Sequence, residues 1–125
     1  MKTIHTDNAP KAVGPYSQAI ISGGFVFTAG QIALNPETGE MVGDNIAIQT
    51  EQVMKNISAI LRFAGTNFAN VIKCDVYLTD LLNFSEFNNI YGKYFDKSYP
   101  ARVTVEVNTL PKNALIEIAV IAELN

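Results

Sequence analysis

The last quarter of the chain contains two segments in which apolar and polar residues alternate, as they do along a half-buried β-strand. In the first, residues 101–107, three valines share one face, and Arg102, Thr104 and Glu106 share the other. The second, residues 115–122, carries Glu117 as its one acid among apolar residues. This pattern predicts two sheet strands, each with a charge that is costly there unless it is paired or functional.

Arg102 and Glu117 have two interpretations at this point. An arginine offers five donors in a rigid fork that matches a carboxylate, so the two residues indicate a site for a small anionic ligand with an acid or base beside it. Alternatively, Arg102 forms a structural salt bridge with Glu117 or Glu106 on neighbouring strands. The spacing of these residues leaves both interpretations open.

The first half of the chain predicts a hairpin and a long helix. Apolar residues 19–22 and 25–32 flank Gly23-Gly24, a pair that supplies the positive φ of a tight turn. Residues 46–64 have apolar side chains at helical spacing, which predicts an amphipathic helix. The expected caps of this helix are Asp44 or Asn45 at its start and Gly65 at its end.

The second half predicts a strand over 71–79, a helix over 83–95 and closing strands over 101–107 and 115–123. Asn83 followed by Glu86 resembles a capping box at the start of the helix. The order β-β-α-β-α-β-β predicts one α+β domain over residues 1–125, with both helices packed on one face of the sheet. The residues expected on one face of the strand at 71–79 are Ile72, Cys74, Val76 and Leu78.

The composition limits the classes of partner. The charged fraction is 17%, whereas soluble domains have about 25%. This low charged fraction favours an oligomer, in which a partner covers part of the surface. The net charge is −3 and Lys and Arg are not clustered, which argues against nucleic-acid binding. The N-terminal residues do not resemble a signal peptide, and the apolar runs are too short to span a membrane, so a cytoplasmic protein is expected.

A metal site is poorly supported. His5 is the only histidine and Cys74 the only cysteine, and neither has the spacing of a ligand set. His5 is expected to be a solvated terminal residue, and Cys74 a core residue on the apolar side of its strand. One cysteine cannot form an intrachain disulfide, which fits a reducing compartment.

Several short motifs, in fixed order over nearly the whole chain, resemble the Rid family, also called the YjgF family, and its RidA branch in particular. The resemblance implies a chorismate-mutase-like α+β fold, and a homotrimer with three sites in the clefts between subunits. The motifs are Gly14-Pro15-Tyr16-Ser17-Gln18-Ala19, Thr28-Ala29-Gly30-Gln31-Ile32, Asn88-Asn89-Ile90-Tyr91, Pro100-Ala101-Arg102 and the segment from Leu110 to Ile118.

The same resemblance implies a reaction. Members of the RidA branch hydrolyse reactive 2-imino acids, such as 2-iminobutanoate and 2-iminopropanoate, to 2-oxo acids and ammonia. Pyridoxal-phosphate dehydratases release these imines from threonine and serine. The hydrolysis needs neither a cofactor nor a metal, so none is expected here.

The resemblance also assigns roles to residues of this chain. It implies that Arg102 binds the substrate carboxylate together with the Gly30 backbone N–H. Glu117 would orient and deprotonate the attacking water, and the Thr104 backbone carbonyl would help to place the imine nitrogen or that water. Tyr16 and Asn88 match positions that line the pocket. By spacing alone, Tyr16 is a packed aromatic residue and Asn88 a solvated helix residue.

Two positions depart from the family pattern. Ala29 stands where serine is common, which removes a hydroxyl and puts the substrate preference in doubt. Thr104 stands where cysteine is common, so a backbone role would survive but a thiol role would not.

Two other functions remain as alternatives. One is an RNA-acting protein of the endoribonuclease or translation-inhibitor type. The other is a regulatory trimer that senses ligands without turnover.

Overall fold

A computed structural model of the chain describes residues 1–96 and 98–124. Within these ranges no helix has both the length and the apolar character needed to cross a membrane. The helices are α1 (Ile46–Ala64) and α2 (Phe84–Tyr91). The strands are β1 (Lys2–Ile4), β2 (Ala19–Ser22), β3 (Phe25–Thr28), β4 (Val71–Leu78), β5 (Ala101–Glu106) and β6 (Ile116–Glu123).

The strands form one mixed sheet in the order β1-β2-β3-β6-β4-β5. Neighbouring strands are antiparallel except β4 and β5, which are parallel because α2 lies in the connection between them. The last strand of the sequence, β6, therefore lies in the middle of the sheet, and β5 is an edge strand. This architecture confirms the predicted α+β fold.

Both helices cover the same face of the sheet, and the core lies between them and that face. Helix α1 presents fully buried side chains at the predicted helical spacing, and each contributes about 1.5–3 kcal/mol by leaving water. Asn45 caps α1 by accepting the Ile48 N–H at 3.0 Å, and Gly65 ends it at φ 95°. The buried residues of this layer include Val53, Ile57, Ile60, Leu61, Val76, Leu78, Ile116 and Ile118.

The predicted capping box at Asn83 is wrong. The Asn83 side chain caps nothing, because the chain enters α2 through a 3-10 turn at Leu81–Asn83. This turn holds Asn83 at φ −83° and ψ 2°, whereas a capping residue has an extended backbone. Asp80 is the cap instead, and its carboxylate accepts the Leu82 N–H at 2.9 Å. Helix α2 also ends earlier than predicted, and the chain continues as a 3-10 turn over Gly92–Tyr94.

The prediction for Ile72 is also wrong. Ile72 is 40% exposed, whereas Cys74, Val76 and Leu78 are buried as expected. The pairing of β4 with β6 shifts its register between Val71 and Lys73, so Val71 takes the buried position in place of Ile72.

The second face of the sheet, which we call the open face, has no covering layer within the described residues. The alternating valines lie here, and Val103 and Val105 remain 46% and 39% exposed. An uncovered apolar sheet face of this kind is typical of an interaction surface. Its central apolar residues, by strand register, are Ile20, Phe27, Tyr77, Val103, Val105, Ala119 and Ile121, and the ion pair of Lys73 with Asp75 lies among them.

Candidate functional site

Arg102 lies on β5 and points to the helix-covered face of the sheet, where α2 holds it. Its guanidinium carbon is 5.4, 5.3 and 4.9 Å from the ring centroids of Phe84, Phe87 and Tyr91. Its Nη1 donates a hydrogen bond to Oδ1 of Asn88 at 2.8 Å. Residues spaced by three or four share one side of a helix, so one stretch of α2 supplies all four contacts.

The guanidinium has no acidic partner within residues 1–96 and 98–124, where the recorded ion pair is Lys73 with Asp75 at 3.2 Å. The alternative interpretation of Arg102, a structural salt bridge with Glu117 or Glu106, therefore does not hold. Glu106 instead accepts the Leu81 N–H at 2.9 Å. The positive charge of Arg102 is therefore not neutralised by a carboxylate of the described residues.

A cavity of about 460 Å³ opens beside this arginine, and we call it the Arg102 cavity. Thr104 follows on the same face of β5, and its hydroxyl oxygen is buried without a hydrogen-bond partner in the described chain. The Arg102 cavity therefore has on its wall the guanidinium of Arg102 and, hydrogen-bonded to it, the side-chain amide of Asn88. Its lining residues are Asn88, Tyr91, Gly92, Tyr99, Pro100 and Arg102.

Glu117 lies on β6 and faces the opposite way, toward the open face, where it is paired in register with Tyr77 of β4. A second cavity of about 120 Å³, the Glu117 cavity, brings Glu117 together with Tyr16 and Gly30. Tyr16 is half-exposed at its rim, so the packed-aromatic interpretation does not hold. The Tyr16 hydroxyl accepts a long hydrogen bond of 3.5 Å from the Val13 N–H.

Position 30 requires a glycine, because the Glu117 side chain occupies the space that a Cβ would need. A Cβ on residue 30 would overlap the Glu117 carboxylate and come within 2.8 Å of its carboxyl carbon. The flanking N–H groups anchor this segment, that of Ala29 to the Gln18 carbonyl and that of Gln31 to the Ile118 carbonyl, both at 2.8 Å. The glycine therefore allows backbone and carboxylate to lie against each other.

Burial raises the pKa of the Glu117 carboxyl above its ordinary value of 4.5. Desolvation disfavours the charged form, because water no longer solvates it fully. A carboxylate with a raised pKa is a stronger base than an exposed one, which suits a group that accepts a proton.

Replacing Glu117 with Gln is expected to raise the free energy of unfolding at pH 7 by up to about 1 kcal/mol, because Gln carries no buried charge. Because the Glu117 carboxyl has a higher pKa in the folded chain than in the unfolded chain, folding favours its protonated form. The wild-type protein therefore loses stability as the pH rises from the unfolded-state pKa to the folded-state pKa. The gain should therefore vanish below pH about 4. Urea denaturation of both proteins between pH 4 and 7 measures it, and a gain independent of pH would contradict the burial of this charge.

The predicted site residues thus form two groups on opposite sides of one sheet. Arg102 is in register with Cys74 of β4, and Glu117 with Tyr77, and these two positions of β4 face opposite ways. Asn88 and Thr104 lie on the Arg102 side, and Tyr16 and Gly30 on the Glu117 side. One small ligand cannot contact both groups of the same chain.

The sequence interpretation missed the aromatic residues that surround Arg102. Phe87 and Tyr91 are buried core residues, but they also contact the guanidinium. Their helical spacing is evident in the sequence, but the sequence does not show that β5 packs Arg102 against them. Asn88, which is a solvated helix residue by spacing alone, is instead the hydrogen-bond partner of Arg102.

Comparison with known proteins gives consistent matches over the whole chain. The family model described as Endoribonuclease L-PSP matches residues 6–124. The chain is 57% identical to a putative regulator AldR of Lactococcus lactis, over 99% of this chain and 98% of that protein. It is 46% identical to the chloroplastic Reactive Intermediate Deaminase A of Arabidopsis thaliana, over 98% of this chain and 66% of that protein.

Solved structures give the same result for the fold. The crystal structure of E. coli TdcF with bound serine superposes with a TM-score of 0.95 at 40% sequence identity, and the match covers 100% of both chains. Family model, sequence relatives and fold agree with the motifs read from the sequence, and the chain belongs to the Rid (YjgF) family.

Proposed function

We propose that the protein hydrolyses reactive 2-imino acids to 2-oxo acids and ammonia. The observation that carries this proposal is Arg102, a fixed guanidinium without an acidic partner in the described chain, on the wall of a cavity. A planar carboxylate is the natural ligand of such a group. The deaminase among the sequence relatives supports the same class of reaction.

We further propose that the working site forms between two copies of the chain, within a homotrimer. The Arg102 cavity of one copy would face the Glu117 cavity of a neighbour, because the two cavities of one chain lie on opposite sides of its sheet. The open face supports this assembly, since a second copy would bury apolar residues that are exposed in the single chain.

The reaction then needs the addition of water to the imine carbon, the transfer of both water protons to nitrogen and the cleavage of the C–N bond. Arg102 binds the substrate carboxylate, and the neighbouring Glu117 takes a proton from water while the water oxygen attacks the imine carbon. Glu117 returns that proton to nitrogen, which gives a neutral carbinolamine. It then takes the hydroxyl proton and passes it to the amino group, so that the C–N bond breaks and ammonia leaves as the C=O bond forms. Glu117 ends in its starting charge state.

The other site residues assist by position. The Gly30 N–H would supply a second donor for the substrate carboxylate, and the Tyr16 hydroxyl would hydrogen-bond the water at the rim of the Glu117 cavity. The Thr104 carbonyl would orient the imine nitrogen. Holding substrate and water together makes the addition effectively unimolecular.

The test is an imine-trapping assay. A threonine dehydratase generates 2-iminobutanoate, semicarbazide traps the imine that survives, and the purified protein is added at increasing concentration. We expect less trapped imine and faster ammonia release. Equal rates with and without the protein, for several 2-imino acids, would refute the proposed function.

An RNA-acting role is the second candidate, and the description of the family model as an endoribonuclease favours it. The net charge of −3 argues against it, because RNA binding draws on basic surfaces. We expect no salt-dependent RNA binding and no RNA cleavage by a nuclease-free preparation.

A further inference from the structure

The Arg102 cavity continues past the guanidinium to an exposed aromatic ring. Tyr99 lines this cavity and is 72% exposed, although large aromatic side chains are mostly buried. In the single chain the cavity has a volume of about 460 Å³, which is more than a four-carbon imino acid fills. A substrate bound through its carboxylate at Arg102 therefore has room to extend its side chain toward Tyr99.

The position of the Tyr99 ring is set by its neighbours. Phe95 contacts it edge to face, with ring centroids 6.3 Å apart and an interplanar angle of 67°. Pro100 follows directly and restricts the backbone at this point. Gly92 has no side chain to cover the ring, and a Cβ there would come within 3.8 Å of the Tyr99 hydroxyl. The ring is thus held in place but left uncovered.

The chemistry of the cavity wall indicates which side chain fits beside Tyr99. Arg102 is the one charged residue that the described part of the chain contributes to the wall, and in the proposed reaction the substrate carboxylate neutralises it. The remaining wall beyond Asn88 consists of two tyrosines, a proline and a glycine. Such a wall favours an apolar or aromatic group and offers no partner for a second charge.

We propose that Tyr99 is a specificity-determining residue that selects 2-imino acids with an aromatic or large apolar side chain. The inference rests on the proposed function, because it assumes that Arg102 binds the carboxylate. It adds that the side chain of the substrate stacks on the Tyr99 ring. The imine of phenylalanine is therefore a better substrate than 2-iminopropanoate.

The experiment compares these two imines, each generated by an amino-acid oxidase, in wild-type protein and in variants. We expect Tyr99→Ala to lower kcat/KM for the phenylalanine imine about tenfold and to change that for 2-iminopropanoate by less than about twofold. Tyr99→Phe keeps the ring and should behave as wild type. The control is Phe63→Ala, which removes an exposed ring on α1 outside the cavity lining. A loss of equal size for both imines, or no loss, would overturn the inference.

A binding measurement separates this inference from the proposed function. If the wild-type protein hydrolyses neither imine, the proposed function fails, and calorimetry with phenylpyruvate and pyruvate tests Tyr99 without turnover. Weaker binding of phenylpyruvate alone to Tyr99→Ala would still support the aromatic subsite. Equal affinities in both proteins, or no binding of either acid, would refute it.

Discussion

Replacing Arg102 with Ala is expected to lower kcat/KM for imine hydrolysis by a factor of about 30 to several thousand. Among the described residues, Arg102 is the only charged group of its cavity wall, so the substitution leaves the substrate carboxylate without its ionic partner. The imine-trapping assay measures the loss. The matched control is Arg62→Ala, at an exposed arginine in the last turn of α1, which should keep wild-type kinetics. Unchanged kinetics in a folded Arg102→Ala variant would exclude Arg102 as the carboxylate ligand.

The Arg102→Ala variant can also test whether the arginine and the glutamate of one site come from different chains. Arg102→Ala and Glu117→Gln chains are each expected to be nearly inactive, but they should restore activity when refolded together. In a cyclic assembly each site would take its arginine from one copy and its glutamate from the next. A random equal mixture would therefore regain about a quarter of the wild-type activity. Mixtures as inactive as their parents would place both residues of a site in one chain.

Val105→Asp on the open face is expected to prevent assembly and to lower activity more than about 100-fold. A carboxylate buried in an apolar interface costs several kcal/mol, whereas in the free chain Val105 is 39% exposed and tolerates a charge. Light scattering should give the mass of one chain, and circular dichroism should show the native fold. Activity would be lost because the Arg102 and Glu117 cavities of different copies no longer meet.

The control for Val105→Asp is Ile48→Asp. Ile48 is 45% exposed, a similar fraction, but it lies on α1 on the helix side of the molecule. It should leave assembly and activity unchanged. An active Val105→Asp protein with the mass of a single chain would refute the proposed intersubunit site.

Features that depend on residues close in sequence were predicted correctly. The Gly23-Gly24 turn, the full length of α1 and the alternation along β5 all follow from local patterns of turn residues and apolar spacing. The errors arose where a neighbouring element changed the local outcome. The turn before α2 moved the cap from Asn83 to Asp80, and the bulge in β4 exposed Ile72.

The candidate site likewise has some features that follow from the local sequence and others that depend on the packing of distant elements. The sequence determined that Arg102 and Glu117 are isolated charges on two strands, because alternation fixes which residues of one strand share a face. Only the tertiary structure decided that the two residues face apart, because that depends on non-local strand pairing and on which face the helices cover. With β6 in the middle of the sheet and β5 parallel at its edge, Arg102 meets α2, and Glu117 lies on the open face.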